Sequence, residues 1–323
     1  MKAAVRRNYG PPKSIIIEEV EKPVPKDNEV LVRVRASTVN RTDCANLRAK
    51  PFIMRFVLGF FKPKKIILGT DFAGDVVAIG KNVKSFHVGD RAFGFDDTGV
   101  QSQAEYLTLA ENGSLFPIPD GISYKQAAAS LEGAHYAYTF VHKVNIQPGQ
   151  RILINGATGA IGSALVQFVR QYEVHITATC NTRNIKLVES LGADKIYDYT
   201  KEGFTKDTEK YDFVFDAVGK STFGKCRPLL KLSGIYISSE LGPYSQNVFF
   251  ALLTSIAGKK KVVFPIPYPT QETIPYIIDL LKTRKFSPVI DREYPLQEIS
   301  QAYEYVLTGE KTGNVIIAFK KNK

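Results

Sequence analysis

Residues 151–169, RILINGATGAIGSALVQFV, set an apolar strand-like run, a cluster of small residues and a helix-like run in immediate succession. No other stretch constrains the fold as strongly. A strand that turns through glycines into a helix brings unpaired backbone N–H groups and the positive end of a helix dipole to one point, where a dinucleotide pyrophosphate is held. Ala157-Thr158-Gly159-Ala160-Ile161-Gly162 fits the spacing G-x-G-x-x-G with Ala in the first place, and Gly156 just before it restores a small residue. The bland alternative is a strand–turn–helix that binds nothing. The chain that follows favours a cofactor site: SALVQFVRQY, VHITATC, RNIKLVESLG, DKIYDY, YDFVFDAVG and GIYISSE alternate helical and strand-like patterns, the third closed by Gly192. Strands separated by helices imply βαβ units and a doubly wound parallel sheet.

The end of the second strand of that series bears on the choice of cofactor. An acidic residue there would hold the ribose 2′-hydroxyl of NAD. The segment ATCNTRN (178–184) has none and offers Asn181, Thr182 and Arg183 instead. A guanidinium with two short polar groups suits a 2′-phosphate, so NADPH is expected over NADH. The alternative for Arg183 is a solvated residue of the next helix. Lys and Arg outnumber Asp and Glu by 43 to 32, a net charge of +11, which fits an anionic partner such as a phosphate-bearing cofactor, nucleic acid or acidic membrane. A merely basic solvated surface fits it equally.

At 323 residues the chain is long for one core, so two domains are expected. Up to about residue 120 the sequence reads as short strands between Pro- and Gly-containing turns: SIIIEEV, EVLVRVRASTVN, GDVVAIG and EYLTL. SYKQAAASLEGAHYAYTFVHKV (123–144) has helical spacing, QETIPYIIDLLKTRKF reads as another helix, and GNVIIAF as a closing strand. The three cysteines, Cys44, Cys180 and Cys226, form no C-x-x-C pair, which speaks against a disulfide framework or zinc cluster and for a reducing compartment. No secretory core is read at the N-terminus. The apolar stretches 52–61 and 248–258 are each about half a membrane span, so a cytoplasmic protein is expected.

The motifs VLVRVRASTVNRTD, LGTDFAGDVVAIGKNVKSFHVGDRAFG, NGATGAIG, TATCNTRNIKLVESLGADKIYDYTKE, FDAVG and KTGNVIIAF, in that order, resemble the zinc-independent quinone oxidoreductase branch of the medium-chain dehydrogenase/reductase superfamily, nearly end to end. The resemblance implies an α/β fold: a GroES-like β domain over 1–122, completed by 269–323, and a Rossmann domain over 123–268, with the active site in the cleft between them. It implies that Tyr199 lies beside the adenosine 2′-phosphate, and that Val218, Gly219, Ser238 and Ser239 line the ribose and nicotinamide side. It also implies a homodimer.

Zinc-dependent members of the superfamily carry a Cys where this chain has Asn40 and a His where it has Thr70, followed by Glu where it has Asp71. Their third ligand falls, by a looser alignment, near Glu132, and their structural-zinc lobe has no counterpart around 96–103. Asn, Thr and Glu are a poor zinc set, and His87, His135, His142 and His175 show no ligand spacing, so no metal is expected. Without that Lewis acid the resemblance implies hydride transfer to acceptors electrophilic unaided, quinones or enones. Asn40 is expected to donate to a carbonyl oxygen and Thr70 to contact substrate or ribose, while Asp43 acts catalytically or orders its loop. Asp75 is expected to face outward. A 2-alkenal or enoyl reductase reducing C=C, or a non-catalytic NADPH-binding protein, are the alternatives; nucleic acid is not an expected partner. Finally, AKPFIMRFVLGFFKPKKIIL (49–68) interleaves aromatics and cations. It admits three readings: an acceptor-pocket loop, a surface touching an anionic membrane, or an ordinary core helix.

Overall fold

A computed structural model describes residues 1–319. The chain forms two compact units: the first comprises Met1–Glu132, Thr270–Lys282 and the residues from Pro288 onward, the second Gly133–Pro269 with Thr283–Ser287.

In the first unit β1 (Lys2–Val5) pairs antiparallel with β2 (Ile16–Glu19). The long strand β3 (Glu29–Val39) leads through Asn40 into α1 (Arg41–Arg48), followed by the single turn α2 (Met54–Leu58). Then come β4 (Asp71–Ile79), β5 (Arg91–Phe95), β6 (Tyr106–Ala110), β7 (Phe116–Pro117), α3 (Tyr124–Ala129) and the first residue of α4 (Glu132–His142). β4 begins earlier than GDVVAIG suggests, because Asp71 already joins the ladder, facing Phe95. The expected single helix across 123–144 is two. Ser123 and Gln126 cap the start of α3 reciprocally, and at its end both the N–H and the hydroxyl of Ser130 bond to the Ala127 carbonyl, tightening the last turn and ending the helix.

The second unit is the alternating segment: β8 (Arg151–Asn155), α5 (Ala160–Val169), β9 (His175–Cys180), α6 (Ile185–Leu191), β10 (Lys195–Asp198), β11 (Tyr211–Asp216), α7 (Phe223–Cys226), β12 (Leu230–Ser238), α8 (Gln246–Ala257) and β13 (Lys261–Val263). Its six strands are all parallel, in the order β10-β9-β8-β11-β12-β13. The order reverses between β8 and β11, the point at which an open parallel sheet leaves a crevice for a nucleotide. Ile152, Leu153 and Ile154 of β8 are all buried, as strands covered on both faces require. Gly192 closes α6 at φ +110°, a left-handed cap that glycine adopts without strain.

The chain then returns to the first unit with α9 (Thr270–Lys282), β14 (Ile290–Pro295), α10 (Ile299–Thr308) and β15 (Asn314–Ala318). The seven-stranded sheet runs β14-β15-β3-β4-β5-β7, with β6 also paired to β3. Its apolar interior includes Phe93, Phe95, Ala127, Leu131 and Ile274 in one cluster, and Leu47, Tyr303 and Ile317 in another. Asp75, expected to face outward, is half-buried and paired: Arg35 Nε donates to it at 2.6 Å, and the Tyr124 hydroxyl donates to its other oxygen. Among the described residues no helix is long and apolar enough to cross a membrane. The core-helix reading of 49–68 fails: Phe52, Ile53, Phe56, Val57, Phe60 and Phe61 are all exposed.

Candidate active site

At the crevice of the second unit the backbone supplies the site. Gly156 sits at φ +83°, and a Cβ there would also press on Val218. A Cβ on Gly162 would stand 2.1 Å from the Gly156 carbonyl oxygen, so the first turn of α5 lies directly on the glycine turn. Gly159 is the N-cap of α5, with no side chain over the helix end. The first N–H groups of a helix have no partner within it, and here Gly159, Ala160, Ile161 and Gly162 hold that end clear of bulk. Ala157 and Thr158 complete the turn, the Ala157 N–H donating to the Thr179 carbonyl at 3.0 Å. Behind them runs a fixed chain: Gly156 N–H donates to Thr179 Oγ1 (2.9 Å), Thr179 to Asn155 Oδ1 (2.7 Å), and Asn155 Nδ2 to Asp216 Oδ1 (2.9 Å). Asp216 also accepts from Ser221 N–H and the Tyr236 hydroxyl. These bonds lock the carboxyl ends of β8, β9 and β11 together. Ser239 N–H donates to the Asp216 carbonyl, bringing Ser238 and Ser239 to the same edge, and Gly219 takes φ +63° beside Glu240. The residues present therefore fit a dinucleotide.

The far end of this edge is the segment expected to meet the 2′-phosphate. Thr182 donates its hydroxyl proton to Asp198, so it is already engaged. Asp198, with Thr200 also donating to it, is held down to about 2 by these hydroxyls. Arg183 and Tyr199 are exposed, and Tyr199 N–H bonds to the Cys180 carbonyl, which seats Tyr199 next to Asn181. The buried Asn181 Oδ1 has no hydrogen-bond partner in the protein.

In the first unit Asn40, Asp43 and Thr70 do come together, but as a closed knot. Asn40 is the N-cap of α1: its Oδ1 accepts from Asp43 N–H (2.8 Å), and Asp43 Oδ2 accepts from Asn40 N–H (3.1 Å), a reciprocal capping box. Asn40 Nδ2 donates to Thr70 Oγ1 at 2.8 Å and approaches Asp71 Oδ2 at 3.3 Å. Asp71 further accepts from Thr38 N–H (2.8 Å) and the Thr38 hydroxyl (2.6 Å). Asn40, Asp43, Thr70 and Asp71 are each 2% exposed or less. The hydrogen bonds of Asn40 and Thr70 run within this cluster. The amide of Asn40 points inward because the loop needs it to tie α1 to β4.

Burial raises the acids of the knot. Asp71 is pushed up to about 7 by desolvation, against the pull of Thr38. Asp43 rises well above its ordinary value by desolvation and the neighbouring Asp71 charge, with the Asn40 N–H and the Thr70 hydroxyl pulling it back. Glu132, buried at the start of α4, is raised by desolvation and drawn down by Lys311 and by Thr42, whose hydroxyl donates to it at 3.1 Å. Lys311 is lowered by desolvation and held up by Glu132. Thr42 and Lys311 are half-buried, Lys311 Nζ donating to the Gly313 carbonyl, and Arg41, whose charge also acts on Glu132, is exposed. Sequence reasoning reaches Glu132 only through a metal alignment and misses Lys311. The cation three residues before Asn314 is the available signal; Asn314 itself is buried and donates to the Val289 carbonyl at 3.0 Å. Among the described residues no three His, Cys, Asp or Glu are grouped to hold a metal ion. His135 is buried and pushed down to about 4, so it stays neutral. Burial raises the thiols of Cys44 and Cys226 to about 12 and that of Cys180 to about 11.

Residues 26–148 match the family model of the alcohol dehydrogenase GroES-like domain, and residues 191–317 that of the zinc-binding dehydrogenase. The chain is 32% identical to the chloroplastic quinone-oxidoreductase homolog of Spinacia oleracea, over 93% of this chain and 92% of that one. It is 28% identical to the chloroplastic NADPH-dependent alkenal/one oxidoreductase of Arabidopsis thaliana, over 98% of this chain and 79% of the other. Its fold superposes on the quinone oxidoreductase from Coxiella burnetii with a TM-score of 0.87, at 23% identity and 99% coverage of both chains.

Proposed function

The chain belongs to the quinone oxidoreductase branch of the medium-chain dehydrogenase/reductase superfamily and is an NAD(P)H-dependent oxidoreductase; from that premise we propose that it uses NADPH, without zinc, to reduce quinones or other activated carbonyl acceptors. The observation that carries this reading is the closed knot of Asn40, Thr70 and Asp71, whose side chains satisfy one another where metal-dependent relatives place ligands. With no Lewis acid to steady an alkoxide, the acceptor must be electrophilic by itself. A dinucleotide whose pyrophosphate lies on the glycine turn would supply a hydride from its reduced nicotinamide. The protein's own part is positional and electrostatic. The first turn of α5 holds the pyrophosphate, Arg183 and Tyr199 flank the 2′-phosphate, and Val218, Gly219, Ser238 and Ser239 shape the edge toward the nicotinamide. Asn40, Asp43 and Thr70 fix the loop between β3 and α1 rather than touch the acceptor.

A 2-alkenal reductase is the second reading, favoured by the name of the Arabidopsis relative. One assay separates the readings: NADPH loss near 340 nm over a panel of quinones and enones, after chelator treatment, with products identified. Hydroquinone formation supports the proposal. A saturated ketone from the enone with no quinone turnover moves the assignment to the C=C bond. NADPH binding without any turnover leaves a non-catalytic binding protein, and activity lost on chelation and restored by zinc overturns the metal-free reading.

We also infer a homodimer. β13 is an outer strand with one open edge, and the neighbouring α8 exposes Phe249, Leu252, Leu253 and Ile256 beside it.

A further inference from the structure

The segment between α1 and β4 carries a feature the reaction does not use. Phe52, Phe56, Phe60 and Phe61 touch one another edge to face, with ring centroids 5.0 to 6.4 Å apart, yet all four rings are exposed, Phe61 at 86%. Ile53 and Val57 add to the same exposed set. The backbone beneath is pinned. Tyr9 donates its hydroxyl to the Gly59 carbonyl at 2.7 Å, Lys64 N–H donates to the Leu58 carbonyl at 2.8 Å, and Leu58 and Pro63 are buried. The rings therefore stand outward on a built support.

Charge decides what covers them. Lys50, Arg55, Lys62, Lys64 and Lys65 lie within the segment, and no Asp or Glu occurs in the sequence between Asp43 and Asp71. The Arg55 guanidinium packs over the rings of Tyr9 (5.1 Å) and Phe52 (5.5 Å). Aromatic rings mixed with cations and free of acids match the boundary between lipid headgroups and acyl chains, where rings enter and cations meet phosphates. A second copy of this chain meets the face poorly, because a two-fold contact sets the same cations against each other. In that respect the face differs from α8, which adjoins an open strand edge able to pair.

We propose that the face formed by Phe52, Phe56, Phe60 and Phe61, with Lys62, Lys64 and Lys65 as its cationic rim, docks the protein on an anionic lipid bilayer. This docking stands apart from the reaction assigned above, and its test reads binding alone.

The chain contains no tryptophan, so Phe61→Trp places a lone tryptophan on the face, excited apart from the tyrosines at the red edge. The full-length protein is mixed with phosphatidylcholine vesicles, with or without about 30% phosphatidylglycerol. The expected result is a blue shift of emission with the anionic vesicles only, reversed by about 0.5 M salt. Lys62→Glu combined with Lys64→Glu, both exposed positions, should keep the melting temperature and weaken vesicle binding by about tenfold or more. No shift with either vesicle overturns the proposal, as does equal binding by the Glu variant. A blue shift that follows protein concentration without vesicles, with a larger hydrodynamic radius, also overturns it and assigns the face to a second copy.

Discussion

The glycine turn of the second unit and the polar knot of the first are both small, buried at their base and rich in hydrogen bonds, yet they are built from opposite materials. The turn is made of backbone: Gly156, Gly159 and Gly162 contribute by lacking side chains, and the helix end they clear stays open to a ligand. The knot is made of side chains: Asn40, Asp43, Thr70 and Asp71 contribute by bonding one another, with the buried Asp43 Oδ1 left without a hydrogen-bond partner. An open backbone site binds, whereas a closed side-chain site holds shape.

The largest expected effect lies in the turn. Gly162→Val puts a branched side chain where even a Cβ would stand 2.1 Å from the Gly156 carbonyl oxygen. NADPH affinity, read by fluorescence titration, should fall on the order of a hundredfold while circular dichroism reports a folded chain. Binding near the original strength would mean that the turn is not the cradle. Arg183→Ala is milder: about a tenfold loss toward NADPH, with NADH unchanged. Equal losses for both cofactors would place the 2′-phosphate elsewhere.

The smallest effect concerns the knot and appears as a pH slope. Asp71 titrates in the folded chain at about 7, above its ordinary value, because burial disfavours its charge. Its contribution to stability is complete at low pH and is lost as pH rises toward that value, since the unfolded chain ionises first. One such group gives a slope of at most ~1.4 kcal/mol per pH unit, and Asp43 acts in the same direction. Asp71→Asn cannot ionise, so melting temperatures between about pH 5 and 7.5 should vary less than in the parent. An unchanged slope would show that Asp71 is already charged in the folded protein.

The same contrast governs what can be read from sequence. Glycine spacing and the alternation of strand and helix are local signals, so the turn, α5 and the parallel series are directly legible. The knot joins Asn40 to residues 30 and 31 positions away, and a lone Asn or Thr carries no mark of being saturated. The resemblance that makes Asn40 a candidate substrate donor therefore does not disclose these partners. The partner of Thr182, Asp198, is hidden in the same way, since it lies 16 residues on, across the strand edge. The break at Ser130 depends on one hydroxyl bonding backward, which periodicity does not register. The exposed rings of 52–61 are legible as aromatics and cations, but their outward stance depends on Tyr9, far away in sequence.

The strand β15 has a bearing on how the chain is made. It pairs with β3, setting Val315 opposite Val39 and Ala318 opposite Ala36, and it separates β14 from the rest of the sheet. During synthesis the first unit therefore waits for β15 to leave the ribosome before its sheet can close, while every strand of the parallel sheet has already emerged. The inserted unit is free to fold first, and the flanking halves meet afterward. A ribosome stalled shortly before residue 314 would hold a finished nucleotide fold tethered to an unfinished sheet.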